Sequence, residues 1–237
     1  GKDKPQTGYC GVTEVIEKNV EVPIKFSTKL IKMLAITRMP FTSASLLPVF
    51  VVGAYFYGMG GEELSWGLFG LTILGILIAH LGINVLNDYF DVKDGTDEAN
   101  AEYFQQVSGG SRAIELGLIS LQGTRKLGII LTLIALGIGG LILSNINEAN
   151  FTGAMQITVA GLLLGYFYTA RPIRLVARRG LGEIAIFLAF GPLLTLGTGY
   201  VIFDNAFQES VHFMNCLLMG IPLGLLTTNI LLINEFP

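Results

Sequence analysis

The chain has 237 residues, 51% of them hydrophobic and only 14% charged, with a mean hydropathy of +0.61. Soluble domains carry about 25% charged residues, so an ordinary water-soluble globule is excluded. The net charge of −3 says little for a chain of this kind, and no nucleic-acid partner is expected.

Residues 1–27 carry no functional signal, and the first 30 residues lack the apolar core of a secretory leader. Residues 28–37, TKLIKMLAIT, set Leu30, Ile31, Met33, Leu34 and Ile36 among lysines. That pattern fits a short interfacial helix on the cytoplasmic leaflet and fits a plain basic flank equally well. Residues 1–37 therefore read as a cytoplasmic N-terminal segment. Beyond it, six windows of bilayer-spanning length are nearly free of charge, near 39–58, 64–87, 125–144, 151–170, 181–203 and 211–233. Only helices and closed barrels satisfy their backbone in lipid, and these runs are continuous rather than alternating. The predicted fold is an all-α polytopic transmembrane bundle, and the 30 glycines suit close helix packing within it.

The positive charges fix the sidedness. Seven Lys and Arg precede the first helix, four lie between the second and third (Lys93, Arg112, Arg125, Lys126), and four between the fourth and fifth (Arg171, Arg174, Arg178, Arg179). The alternate loops hold none of the 15, only Glu62, Glu63, Glu148, Asp204 and Glu209. The positive-inside rule then puts the N-terminus and the basic loops in the cytoplasm.

The second helix ends in Asn84-Val85-Leu86-Asn87-Asp88-Tyr89-Phe90-Asp91-Val92-Lys93-Asp94-Gly95-Thr96-Asp97, four aspartates and two asparagines in fourteen residues. A carboxylate at a helix centre costs about 2.5 to 3.5 kcal/mol on insertion scales, so such a cluster at a membrane boundary needs a positive partner. Mg²⁺ suits it, being held by one or two carboxylates together with phosphate oxygens. On a helix continued to Gly95, where it is expected to end, His80, Asn84, Asn87, Asp91 and Asp94 share one arc, with Asp88 beside it. His80 reads more readily as a packed, hydrogen-bonded residue than as a ligand. A second polar cluster, Tyr166 to Arg174 followed by Arg178-Arg179, lies on the same side, and arginine's planar fork suits phosphate. Lipid headgroup contact explains Arg178 and Arg179; it explains Tyr168, Arg171 and Arg174 less well. Ser108-Gly109-Gly110-Ser111-Arg112 offers backbone N–H groups to an anion. Cys10 and Cys216 have no metal spacing, and Cys216 reads as small apolar filler.

These residues resemble the UbiA-type intramembrane prenyltransferases. Asn87-Asp88-x-x-Asp91 looks like the family's first aspartate-rich motif, Arg38-Met39-Pro40 like its first-helix start, and Tyr168 to Leu175 with Arg179 to Glu183 like its helix 4–5 loop. Ile233-Asn234-Glu235-Phe236-Pro237 looks like the approach to the second motif. NDYFD followed by GTD, the GGSR run and NEFP are most similar to the 1,4-dihydroxy-2-naphthoate branch of menaquinone synthesis. The resemblance implies about nine helices, of which this chain would hold six. Residues 38–237 would be the prenyltransferase domain, cut before the second motif and inactive as it stands. It implies Mg²⁺ on Asn87, Asp88 and Asp91 with Asp94 or Asp97, a catalytic set of Asp88, Asp91 and Tyr168, and substrate contacts from Arg38, Asn84, Asn87, Lys93, Arg112, Arg171 and Arg174. A prenyl diphosphate, an aromatic acceptor and membrane lipid are the implied partners, and oligomeric state is open. A prokaryotic cytoplasmic membrane is the expected location. Other acceptors remain open: 4-hydroxybenzoate, an archaeal glycerol-phosphate lipid or a chlorin. Non-enzyme rivals are a scaffold protein and a transporter. The helix centres hold no Asp, Glu, Lys or Arg, though Pro192 and Pro222 fall inside helices 5 and 6.

Overall fold

The computed structural model describes residues 26–60, 64–98, 113–114, 117–169, 172–178 and 180–235. It is an all-helical bundle with six segments long and apolar enough to cross a membrane: Met39–Gly58, Trp66–Lys93, Leu121–Leu143, Glu148–Thr169, Leu181–Ile202 and Ser210–Ile233. Each coincides, within a few residues, with a charge-poor window of the sequence. Many large apolar side chains remain on the outside, Leu133, Leu163 and Ile184 among them. That arrangement suits lipid, which is as apolar as the side chains themselves.

The helices are α1 (Phe26–Ile36), α2 (Ser43–Gly58), α3 (Trp66–Glu98), α4 (Leu121–Leu143), α5 (Glu148–Thr169), α6 (Leu181–Leu188), α7 (Leu194–Ile202) and α8 (Ser210–Glu235). A 3-10 turn, Met39–Thr42, leads into α2, and a π-helical turn, Ala189–Leu193, joins α6 to α7. Pro192 lies in that π turn; it lacks an N–H to donate, and the wider turn accommodates the loss. By contrast α8 runs unbroken through Pro222, so only one of the two prolines interrupts its helix. Helix α3 also passes Gly95 and continues to Glu98, beyond the stop expected there. Glycine lowers helix propensity without forbidding helix, and among the described residues Thr96 to Glu98 none takes a left-handed cap.

Two contacts show how glycine sets the packing. Helices α3 and α4 meet where a Cβ on Gly128 would lie 2.6 Å from Leu86 Cδ2 and one on Gly82 would lie 3.2 Å from Leu131 Cβ. Gly220 and Gly224, a G-x-x-x-G pair on α8, press against Pro192 and Gly191 of the π turn, backbone on backbone.

The interior has two apolar clusters. One gathers Val52, Phe56, Leu64, Leu196, Ile202, Ala206 and Cys216, where α2, α7 and α8 converge. There Asn150 Nδ2 donates to the Phe203 carbonyl at 2.9 Å, and Tyr55 Oη sits between His212 Nδ1 (2.8 Å) and Asn215 Nδ2 (2.9 Å). The other gathers Ile36, Val85 and Ala113 with Leu118, Ile119, Leu127 and Leu131. It lies at the opposite end, where the basic segments and the acidic row meet. Arg125 and Lys126 fall within α4, which starts at Leu121, and both are exposed.

Candidate active site

Helix α3 carries the site. Burial selects His80, Asn84 and Asp88, spaced four residues apart, as its inward row at 9%, 7% and 7% exposure. Asp88 thus belongs to the buried face rather than beside it. Asp91 and Lys93 are exposed, a turn further toward the mouth. The sequence arc is right for Asn84 and His80, but neighbouring elements decide where the inward face ends. Asp94 and Asp97 lie on the last turns of α3, and their side chains are outside the described residues, as are Arg112 and Arg171.

Two of the inward residues are fixed from other segments. Asn84 Nδ2 donates to the Thr37 carbonyl at 3.1 Å, which ties α3 to the corner between α1 and α2. Ser45 Oγ donates to the Thr42 carbonyl at 2.9 Å and lies 2.7 Å from His80 Nδ1, which ties α3 to the first turn of α2. His80 is therefore a hydrogen-bonded interior residue, as the sequence suggests. Thr37 and Ser45 escape sequence reasoning; their only signal is a small polar residue near the start of an apolar helix.

Asn87 is different. Its Oδ1 is buried without a hydrogen-bond partner among the described residues. Such an acceptor costs about 1–3 kcal/mol and invites a ligand. Asn87 directly precedes Asp88 on α3 and stands one turn before Asp91. Among the described residues no group of three or more His, Cys, Asp or Glu side chains could hold a metal ion. What these residues offer is one amide oxygen and two carboxylates, a donor set of hard oxygens that fits a Mg²⁺ ion completed by phosphate oxygens.

The arginines are held in a distinctive way. Three non-glycine residues of the described structure have positive φ: Arg38 (53°), Arg174 (46°) and Asn205 (53°). Asparagine tolerates that conformation; arginine has no such preference, and the strain is of order 1–3 kcal/mol per residue. Arg38 ends α1 and starts the turn into α2, with its guanidinium 5.2 Å from the Phe41 ring centroid. Arg174 starts the 3-10 turn Leu175–Ala177, just beyond Tyr168 on the last turn of α5. Both arginines and Tyr168 are half-buried. Helix α3 touches both the turn after Arg38 and α5. Arg178 is exposed; its Nε donates to the Ile173 carbonyl at 2.8 Å. Of the aromatic residues beside the motifs, Tyr89 and Phe90 are half-buried, whereas Phe41 and Tyr166 are exposed.

The six-span helical bundle thus carries an amide–carboxylate row on α3 and two arginines held in left-handed turns. The chain belongs to the UbiA prenyltransferase family, whose model matches residues 45–237. It is 28% identical over 204 residues to the chloroplastic 2-carboxy-1,4-naphthoquinone phytyltransferase of Arabidopsis thaliana, covering 84% of this chain and 48% of that protein. It is 26% identical over 234 residues to UbiA prenyltransferase domain-containing protein 1 of Dictyostelium discoideum (94% and 66% covered). It is 28% identical over 190 residues to the Xenopus tropicalis protein of that name (80% and 50% covered). The chain thus spans about half to two thirds of the length of these relatives. No solved structure matches it significantly.

Proposed function

We propose that this chain carries the prenyl-donor side of a Mg²⁺-dependent transferase that moves a prenyl group from an allylic polyprenyl diphosphate to an aromatic acceptor. The buried Asn87 Oδ1, without a hydrogen-bond partner among the described residues, carries this reading. The family match favours a transferase over a transporter.

Asn87, Asp88 and Asp91, with Asp94 or Asp97, would hold Mg²⁺, which when bound neutralises the diphosphate and makes it a better leaving group. Arg38, Arg174 and Lys93, with Arg112 and Arg171, supply fixed positive charge where the leaving group gathers negative charge. Tyr168, on the last turn of α5, would donate a hydrogen bond to the same group. The allylic C–O bond breaks and its electron pair leaves with the diphosphate. A ring carbon of the acceptor donates a pair to the prenyl carbon, and the ring then loses a proton or CO₂. The apolar helix walls exclude water from the cation.

The favoured acceptor is 1,4-dihydroxy-2-naphthoate, in a quinone-forming pathway. The naphthoquinone substrate in the Arabidopsis relative's name supports that branch. The end of the bundle bearing the basic residues is assigned to the cytoplasmic side or its organellar equivalent. The test is transfer of labelled prenyl diphosphate to this naphthoate by the whole gene product in detergent. Product that disappears with EDTA is the expected result. Product only with hydroxybenzoate or a glycerol-phosphate lipid moves the branch; no transfer to any acceptor rejects the reading.

A further inference from the structure

His80 is not needed to hold the diphosphate, yet it is 9% exposed and sits on the same face as Asn84 and Asp88. At 1.5 Å per residue it lies about 12 Å deeper than Asp88 along α3. Its hydrogen bonding is incomplete in a specific way. Ser45 has one hydroxyl proton, and it donates to the Thr42 carbonyl at 2.9 Å. With that proton given to Thr42, the network assigns the ring nitrogen 2.7 Å from Ser45 Oγ as the donor, which places the proton on Nδ1 and the lone pair on Nε2. Among the described residues Ser45 is the one hydrogen-bond partner of this ring. Phe190, from the π turn, meets the imidazole edge-on at 5.3 Å between centroids.

We propose that His80 Nε2 accepts a hydrogen bond from a ring hydroxyl of the aromatic acceptor, and so orients and selects that substrate. This rests on the transferase reading above. The chemistry narrows the ligand. A diphosphate bound to a metal ion has no proton to give. A prenyl tail has no polar hydrogen. A hydroxylated aromatic ring has both an O–H for Nε2 and a face or edge for Phe190, and aromatic pairs prefer such edge geometry. A site built to pair with a hydroxyl discriminates strongly against analogues lacking it, because its buried acceptor is otherwise left unpaired.

The test uses the whole gene product in detergent with labelled prenyl diphosphate, comparing 1,4-dihydroxy-2-naphthoate with its two monomethyl ethers. The wild type is expected to prefer the free diol over one of the ethers by about 10-fold or more in kcat/KM. His80→Phe should raise the diol KM about 10-fold, erase that preference, and leave the prenyl diphosphate KM within about two-fold. His80→Gln, which can offer an amide oxygen, should restore part of the preference. A folded His80→Phe variant with unchanged preference overturns the proposal. If His80→Phe does not fold, the wild type decides: equal transfer to diol and both ethers overturns this proposal and leaves the transferase reading standing. Transfer to none of them rejects the naphthoate reading and this proposal with it.

Discussion

Asn84 on α3 donates to the Thr37 carbonyl at 3.1 Å, joining residues 47 apart in sequence. The bond pins the chain one residue before the left-handed Arg38 and one turn before Asp88. The acidic row and the first arginine are thereby set by a single amide. Asn84→Ala leaves that carbonyl without its donor, at a cost of about 1–3 kcal/mol. The expected result is a lower melting temperature in detergent and a higher prenyl diphosphate KM. A variant indistinguishable from wild type in both would remove the clamp from the account.

Asp91 is exposed, one turn beyond Asn87 on α3. Asp91→Asn should lower transfer by more than ~100-fold, the scale of losing one electrostatic stabiliser. Melting temperature and expression should stay unchanged. Near-normal turnover would sink the metal assignment at this carboxylate.

Asn87 allows a sharper test, since its buried Oδ1 has no partner among the described residues. Asn87→Leu removes that unsatisfied atom, so thermal stability should hold or rise. Transfer should fall about 10- to 100-fold, as for loss of a group that tunes a metal site. A fall in stability with activity intact would show that the amide serves packing instead.

Arg38 is held at φ 53°, a conformation glycine adopts freely. Arg38→Gly relieves the strain and loses a cation–π contact worth about 0.5–1 kcal/mol at exposed sites. Stability should change little, whereas the prenyl diphosphate KM should rise about 10-fold. Saturation curves for the donor, measured beside melting curves, separate the two effects; a large drop in melting temperature with an unmoved KM would make Arg38 a structural corner.

Gly220 approaches the backbone of the π turn, where an added Cβ would lie 2.8 Å from Pro192 N and Cα. No side-chain rotation relieves contact with backbone. Gly220→Leu should therefore cost well beyond the usual overpacking range of about 1–3 kcal/mol and abolish the monodisperse folded peak in size-exclusion chromatography. A folded variant would mean that α8 can slide.

The six spans and their order were legible in the sequence, because apolar length and loop charge are local quantities that add along the chain. The basic and acidic segments could be expected at one end of the bundle for the same reason. Only the tertiary structure decided which of those residues are interior. Asp88 is buried and Asp91 is not, because the bundle closes around one and stops short of the other. The links Asn84–Thr37 and Ser45–His80 cross 47 and 35 residues, and no periodicity encodes them. The left-handed turns at Arg38 and Arg174 likewise follow from where α1, α2, α5 and α6 must pack, against arginine's own backbone preference.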